Sequence, residues 1–164
     1  MDTNAVSILW NKRHPEHDMV KDFFAGFSHS PVWLSTAVLA EIEYGLKITP
    51  KMDIDSQNQV RREISNYPLI LDIDKHTIGP YSDLRAELFK KYSPRNRRGR
   101  LRVKWPEDLI ERTSAKELGV QENDIWIAAQ AIQYNLILVT DDYMQRLVEV
   151  SENLDYPLQI AIWK

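Results

Sequence analysis

The sequence predicts an α/β fold in which helices flank a parallel sheet, and three observations carry that prediction. From Asn123, a residue able to cap a helix, the apolar side chains Ile125, Ala128, Ala129, Ile132 and Leu136 recur at helical spacing. The pattern then changes to Leu136-Ile137-Leu138-Val139, a short continuous apolar run of the kind expected of a strand buried on both faces. Thr140, Asp141 and Asp142 come next, at the carboxyl end of that run, which is the edge where open α/β sheets bind ligands.

The remaining elements are read in chain order. Ala5, Val6, Ile8 and Leu9 suit a short helix that stops at His14-Pro15, and no strand precedes Asp2. Residues 18–27 read as a second helix with Met19, Val20, Phe23, Phe24 and Phe27 inward. Val32-Trp33-Leu34-Ser35 reads as a strand, and Thr36 can cap a helix whose buried stripe is Val38, Leu39, Ile42 and Leu46. A polar helix is expected over 53–66, closed by Tyr67-Pro68, and Leu69 to Ile73 reads as a strand or extended connection. Asp74 would cap the next element, and a strong helix is expected over 81–92. A short helix over 107–118 stopped by Gly119 and a last strand over 158–163 complete the chain.

A chain of 164 residues, 43% hydrophobic and 27% charged, is most simply one domain able to bury its own core. The absence of cysteine excludes disulfides and thiolate metal sites, so a bound metal must use oxygen or histidine. No apolar run approaches a membrane span and the first residues lack the pattern of a signal peptide, so a cytoplasmic location is expected, without a membrane partner. The net charge of −3 conceals a division: residues 90–104 carry eight basic side chains and no acidic one, and the rest carries 13 basic against 24 acidic. An acidic body with one concentrated basic segment suggests a polyanionic partner held at a defined place.

Asp2, Glu41, Asp124 and Asp142 lie at the ends or borders of four different elements. Clustered carboxylates repel unless a cation is present, so such a set suits Mg2+ or Mn2+, hard ions that prefer oxygen. A metal there could activate water and neutralise a phosphate under attack. Singly, each acid has a structural alternative: Asp124 a helix-dipole partner, Asp141 or Asp142 a cap, Glu41 a solvated border residue, Asp2 part of a frayed terminus. Periodicity does not choose between Glu41 and Glu43, although Gly45, one turn beyond Glu41, leaves room beside that carboxylate.

Taken together, these segments resemble the PIN-domain ribonucleases, and most closely the VapC-type toxins of bacterial toxin–antitoxin pairs. Asp2-Thr3-Asn4 matches the family's opening, AEIEYG at 40–45 its second motif, NDIWIAAQA at 123–131 its third, and VTDDY at 139–143 its fourth. The spacing to Gly45 selects Glu41 over Glu43, and counting two residues on from Thr140 selects Asp142 over Asp141. The resemblance implies a three-layer α/β/α sandwich formed by one domain over 1–164, with a central parallel sheet. It implies catalytic and metal-binding roles for Asp2, Glu41, Asp124 and Asp142, with Asn4 and Thr140 supporting. It also implies hydrolytic cleavage of single-stranded or looped RNA, an antitoxin partner and a homodimer. Two departures stand out: the strand that normally runs into the first aspartate is absent, and a basic insertion occupies about 90–106.

The missing strand predicts that Asp2 hangs on a free terminus with poorly fixed geometry, and that either translation begins upstream or activity was lost with the strand. In the insertion, Arg95, Arg97, Arg98, Arg100, Arg102 and Lys104 are candidate RNA-phosphate contacts, with Tyr92 or Trp105 available to stack on a base; the alternative is a solvated loop. His14, His17, His29 and His76 show no ligand spacing, and the five tryptophans read as core. Two other functions compete with the toxin nuclease: a catalytically impaired PIN-fold protein that binds RNA or antitoxin, and a PIN nuclease that processes housekeeping RNA.

Overall fold

The computed structural model describes residues 1–49, 54–111, 114–142 and 144–164. In chain order the elements are α1 (Thr3–Trp10), α2 (His17–Ala25), β1 (Leu34–Ser35), α3 (Thr36–Ile48), α4 (Ile54–Asn66), β2 (Ile70–Leu71), α5 (Ile78–Tyr92), a 3-10 turn (Pro106–Asp108), α6 (Glu122–Gln133), β3 (Ile137–Thr140), α7 (Gln145–Ser151) and β4 (Gln159–Ile162). β1 pairs with β2 in parallel, Leu34 beside Ile70, and β3 pairs with β4. The α/β class expected from the pattern is therefore present, in four short strands. The chain packs as two compact units, Met1–Asp72 with Val139–Asp141 and Ala161–Lys164, and Ile73–Leu138 with Asp142–Ile160.

In the first unit, α1 packs on α2 and α3 and buries Ala5, Val6 and Ile8. Helix α3 leaves β1 without a loop because Ser35, the last strand residue, is also its cap: its hydroxyl accepts the Ala37 N–H at 3.0 Å. Ser35, one residue before the expected Thr36, is thus the N-cap. α2 buries only Val20, and Met19 and Phe27 are exposed, contrary to the inward stripe expected of 18–27. The start of the polar helix at Asp53 lies outside the described residues, and the rest forms α4.

In the second unit, α5 packs on α6 and α7 through Leu84, Leu88, Phe89 and Tyr92. It begins three residues earlier than periodicity suggests, because the Asp74 carboxylate accepts the N–H groups of His76 at 2.7 Å and Thr77 at 3.2 Å and turns the chain there. The helix expected over 107–118 does not form among the described residues, with 112 and 113 lying outside them. After the 3-10 turn the chain doubles back, Leu118 N–H to Leu109 carbonyl at 3.0 Å, with an antiparallel bridge between Ile110 and Glu117. Fully buried Leu109 and the ion pair of Glu111 with Arg146 hold that hairpin, so tertiary contacts override local propensity. β3 is also unlike its expectation: it alternates, with Ile137 56% exposed and Leu138 buried, so it is not covered on both faces along its length.

The foot of the basic segment is clamped by charge. The Lys91 ammonium lies 2.5 Å from Glu149, the Tyr92 hydroxyl donates to the same carboxylate, and Arg146 stands beside it. The Lys91 hydrogen bond, then that of Tyr92, lowers the Glu149 carboxyl from its ordinary range to about 2. A depressed carboxyl contributes stability above the unfolded-state value and loses it as pH falls through the folded value. Glu149→Gln should therefore lower the Tm at neutral pH, and melts at descending pH should show the gap from wild type closing between the ordinary glutamate range and about 2. A constant gap would mean packing, not charge, is what the variant removed.

Candidate active site

The first unit gathers its polar residues around the start of α1. The Asp2 N–H donates to the Val139 carbonyl at 2.9 Å and the Met1 amine lies 3.3 Å from the Trp33 carbonyl, so Met1 and Asp2 run as a two-residue stub between the approach to β1 and β3. Asp2 is 5% exposed, and its Oδ1 caps α1 by accepting the Ala5 N–H at 2.8 Å. This corrects the expectation of a loosely held terminal carboxylate: a cap and a backbone bond fix it. Burial raises the Asp2 carboxyl above its ordinary range, opposed by hydrogen bonds from buried Thr140 and from Ala5, and reinforced by the charge of Asp141.

The next two residues each reach another acid. The Thr3 hydroxyl donates to the Glu41 carboxylate, and Asn4 Nδ2 donates to Asp141 Oδ1 at 3.2 Å. Lys164 Nζ stands 3.7 Å from Asp141 and 3.1 Å from Glu16. Glu43 instead turns to Arg61 at 3.1 Å and Lys47 at 3.7 Å. The structure thus separates the two glutamates that periodicity left equivalent, and it brings Asp141, which spacing had set aside, into the company of Asp2.

In the second unit, Gln121 and not Asn123 is the N-cap of α6, and Asp124 is the third helical residue. Asp124 Oδ2 accepts the Gln121 N–H at 2.7 Å in a capping box, so the carboxylate is oriented by the helix start it stabilises. Asp142 is exposed, and its Oδ1 accepts the Met144 N–H at 3.3 Å where the backbone turns through a left-handed residue into α7. Among the described residues, no three acidic or histidine side chains converge as a ready ion site. The donor chemistry in the first unit nonetheless suits a hard divalent cation, since Asp2, Glu41 and Asp141 offer carboxylates beside the hydroxyl and amide oxygens of Thr3, Thr140 and Asn4, with no sulfur.

The family model described as PIN domain matches residues 1–150. The chain belongs to the PIN-domain family. Its fold is shared with the solved structure of VapBC2 from Rickettsia felis bound to a DNA fragment from its promoter, at a TM-score of 0.66 and 21% identity, covering 99% of this chain and 96% of that one. DNA-bound VapBC from Salmonella typhimurium is similar at a TM-score of 0.61 and 18% identity, covering 99% and 96%. FitAcB from Neisseria gonorrhoeae is similar at 0.61 and 17%, covering 99% and 95%. No curated protein matches the sequence. PIN-domain proteins are generally nucleases, so the family places this chain among nucleases at that level.

Within the basic insertion of this PIN chain, residues 95–101 form a hairpin turn. Asn96 Oδ1 accepts the N–H groups of Arg98 at 2.9 Å and Arg100 at 3.1 Å, Gly99 takes the left-handed φ of 75° that the turn needs, and Arg95 bridges to Leu101. Arg95 is partly spent on the turn itself, Nη1 donating to the Gly99 carbonyl at 3.0 Å. Arg97, Arg98, Arg100, Arg102 and Lys104 are exposed. Tyr92 is buried and bonded to Glu149, which removes it as a stacking residue, whereas Trp105 is 58% exposed. Sequence reading missed the group formed by Tyr81, Arg85, Glu122 and Trp126: the Tyr81 and Trp126 rings stack at 3.7 Å, and Arg85 Nη1 meets Glu122 at 2.5 Å. The four-residue step from Tyr81 to Arg85 was its one sequence signal.

Proposed function

We propose that this PIN-domain chain is a metal-dependent endoribonuclease of one domain over 1–164, with its insertion around 90–106, and the toxin of a toxin–antitoxin pair. The observation that carries the reading is Asp2, a buried carboxylate in a nuclease-family chain, raised by desolvation and attended by Thr140, Thr3–Glu41 and Asn4–Asp141. Such a group is costly to keep charged unless a cation joins it. Asp2, Glu41, Asp124 and Asp142 are the carboxylates through which the chain would hold Mg2+ or Mn2+, with Asn4 and Thr140 as supporting polar groups. The bound ion would neutralise charge on the scissile phosphate and make water a stronger nucleophile at neutral pH.

The chain's own residues then have separable tasks. Thr3 and Asn4 hold Glu41 and Asp141 in place, the capping box holds Asp124, and Arg97, Arg98, Arg100, Arg102 and Lys104, with Arg95, supply charge for the RNA backbone. The antitoxin partner is supported by the likeness to the VapBC and FitAcB structures, and a homodimer is proposed with the toxin reading. The cytoplasm, where RNA and antitoxin are made, is the place of action. Among the described residues no helix is long and apolar enough to cross a membrane.

The test is RNA cleavage in Mg2+, Mn2+ and EDTA, with a calorimetric Mn2+ titration. Asp124→Asn and Asp142→Asn should each abolish metal-dependent cleavage with little loss of fold, since asparagine keeps an acceptor at each turn. Asp141→Asn, which spacing alone would treat as dispensable, should lower cleavage by about 10- to 100-fold, as loss of a supporting partner does. Glu43→Gln should cleave like wild type. If the wild-type chain takes up no Mn2+ and cleaves no RNA while still binding it, the protein is an RNA- or antitoxin-binding PIN fold and not a nuclease.

A further inference from the structure

Helix α5 presents Tyr81, Arg85 and Phe89 at four-residue steps, one row along one face. Facing them are Leu101, Val103 and Lys104, from the outgoing arm of the basic hairpin, and between the two lies an open cleft of about 450 Å3. That volume falls in the range of small-ligand sites.

The walls are mostly apolar. Tyr81 is backed by Trp126, its ring 8° from parallel. The Arg85 guanidinium sits 5.2 Å over the Phe89 ring, is paired to Glu122, and ties the cleft shut at one end through a 2.7 Å bond from Nη2 to the Lys104 carbonyl. Flat aromatic and guanidinium surfaces set opposite aliphatic side chains fit a planar heteroaromatic ring.

We propose that this cleft holds one unpaired nucleobase of the RNA, while exposed arginines of the adjoining hairpin contact its flanking phosphates. Charge decides for a nucleotide over an apolar peptide: residues 90–104, which supply one wall of the cleft, contain eight cations and no anion. A polyanion bearing flat, stackable rings answers both features, and stacking on such a platform tolerates any base. The inference rests on the reading of RNA as substrate, and it names the place where a base, rather than a phosphate, is recognised.

The experiment uses the full chain in EDTA and a seven-nucleotide strand carrying a single 2-aminopurine among abasic residues, compared with the fully abasic strand. Wild type should quench the 2-aminopurine and bind that strand about 5- to 150-fold more tightly than the abasic one. Ala86→Leu, on the exposed face of α5 within the cleft, adds bulk without charge or loss of helix propensity. It should abolish the quenching and equalise the two affinities without changing the Tm. Equal binding of the two strands by wild type, or quenching unchanged in Ala86→Leu, overturns the proposal. Cleavage of unmodified RNA in Mn2+, run alongside, separates the readings: cleavage without a base effect removes only the cleft, and a base effect without cleavage removes the nuclease and keeps the cleft.

Discussion

Asp2→Asn is expected to abolish the proposed metal-dependent RNA cleavage, by at least about 100-fold, and to leave the Tm in EDTA equal to or above that of wild type. The loss exceeds what outer-shell partners of a metal usually cost, because the carboxylate itself goes. The unchanged stability has its cause in the surroundings of the side chain. Asparagine caps a helix as well as aspartate does, so the bond from the Ala5 N–H survives. The folded-state carboxyl lies above its ordinary range through burial, so the folded chain binds that proton more tightly than the unfolded chain. Its contribution to stability is then greatest at low pH and declines as pH rises through the folded value, because burial disfavours the charged form. The neutral variant escapes that decline. Cleavage assays and melts in EDTA across acid to neutral pH check both parts. A Tm lowered by several degrees, or wild-type cleavage, would make Asp2 a structural cap and nothing more.

Neutralising Arg97, Arg98 and Arg100 to glutamine should weaken single-stranded RNA binding by about 100-fold near 0.1 M salt and flatten the salt dependence by about 2, from roughly 0.7 per lost phosphate contact. Cleavage at saturating RNA should survive, since none of the three is proposed to carry the chemistry. Arg95 is left out deliberately, because its guanidinium holds the Gly99 carbonyl and its loss would disturb the turn as well as the charge. Binding isotherms at several salt concentrations read the slope directly. An unchanged slope would show that the hairpin faces solvent and not RNA.

Much of the fold was legible because it rests on local rules. The stripe Ile125, Ala128, Ala129 is buried in α6 as its spacing requires, and β1, β2, β3 and β4 fall within the runs that β propensity marks. Failures occurred where a partner distant in sequence decided the outcome. Residues 107–118 have a helical pattern, yet among the described residues buried Leu109 and the Glu111–Arg146 pair accompany a chain that doubles back, with Ile110 bridged to Glu117. The apolar stripe of α2 predicts a buried face, yet only Val20 is covered.

The candidate site divides in the same way. By itself the sequence offered the four candidate acids in their order and excluded thiolate ligands, because short motifs and the lack of cysteine are written in one dimension. Only the tertiary structure decided that Glu43 faces Arg61 while Glu41 meets Thr3, that Asp141 stands with Asn4 and Asp2, and that Asp2 is held by a cap and a backbone bond. The reason is physical: a carboxylate's proton affinity and orientation come from its burial and its donors, and for Asp2 these include Val139 and Thr140, more than a hundred residues along the chain.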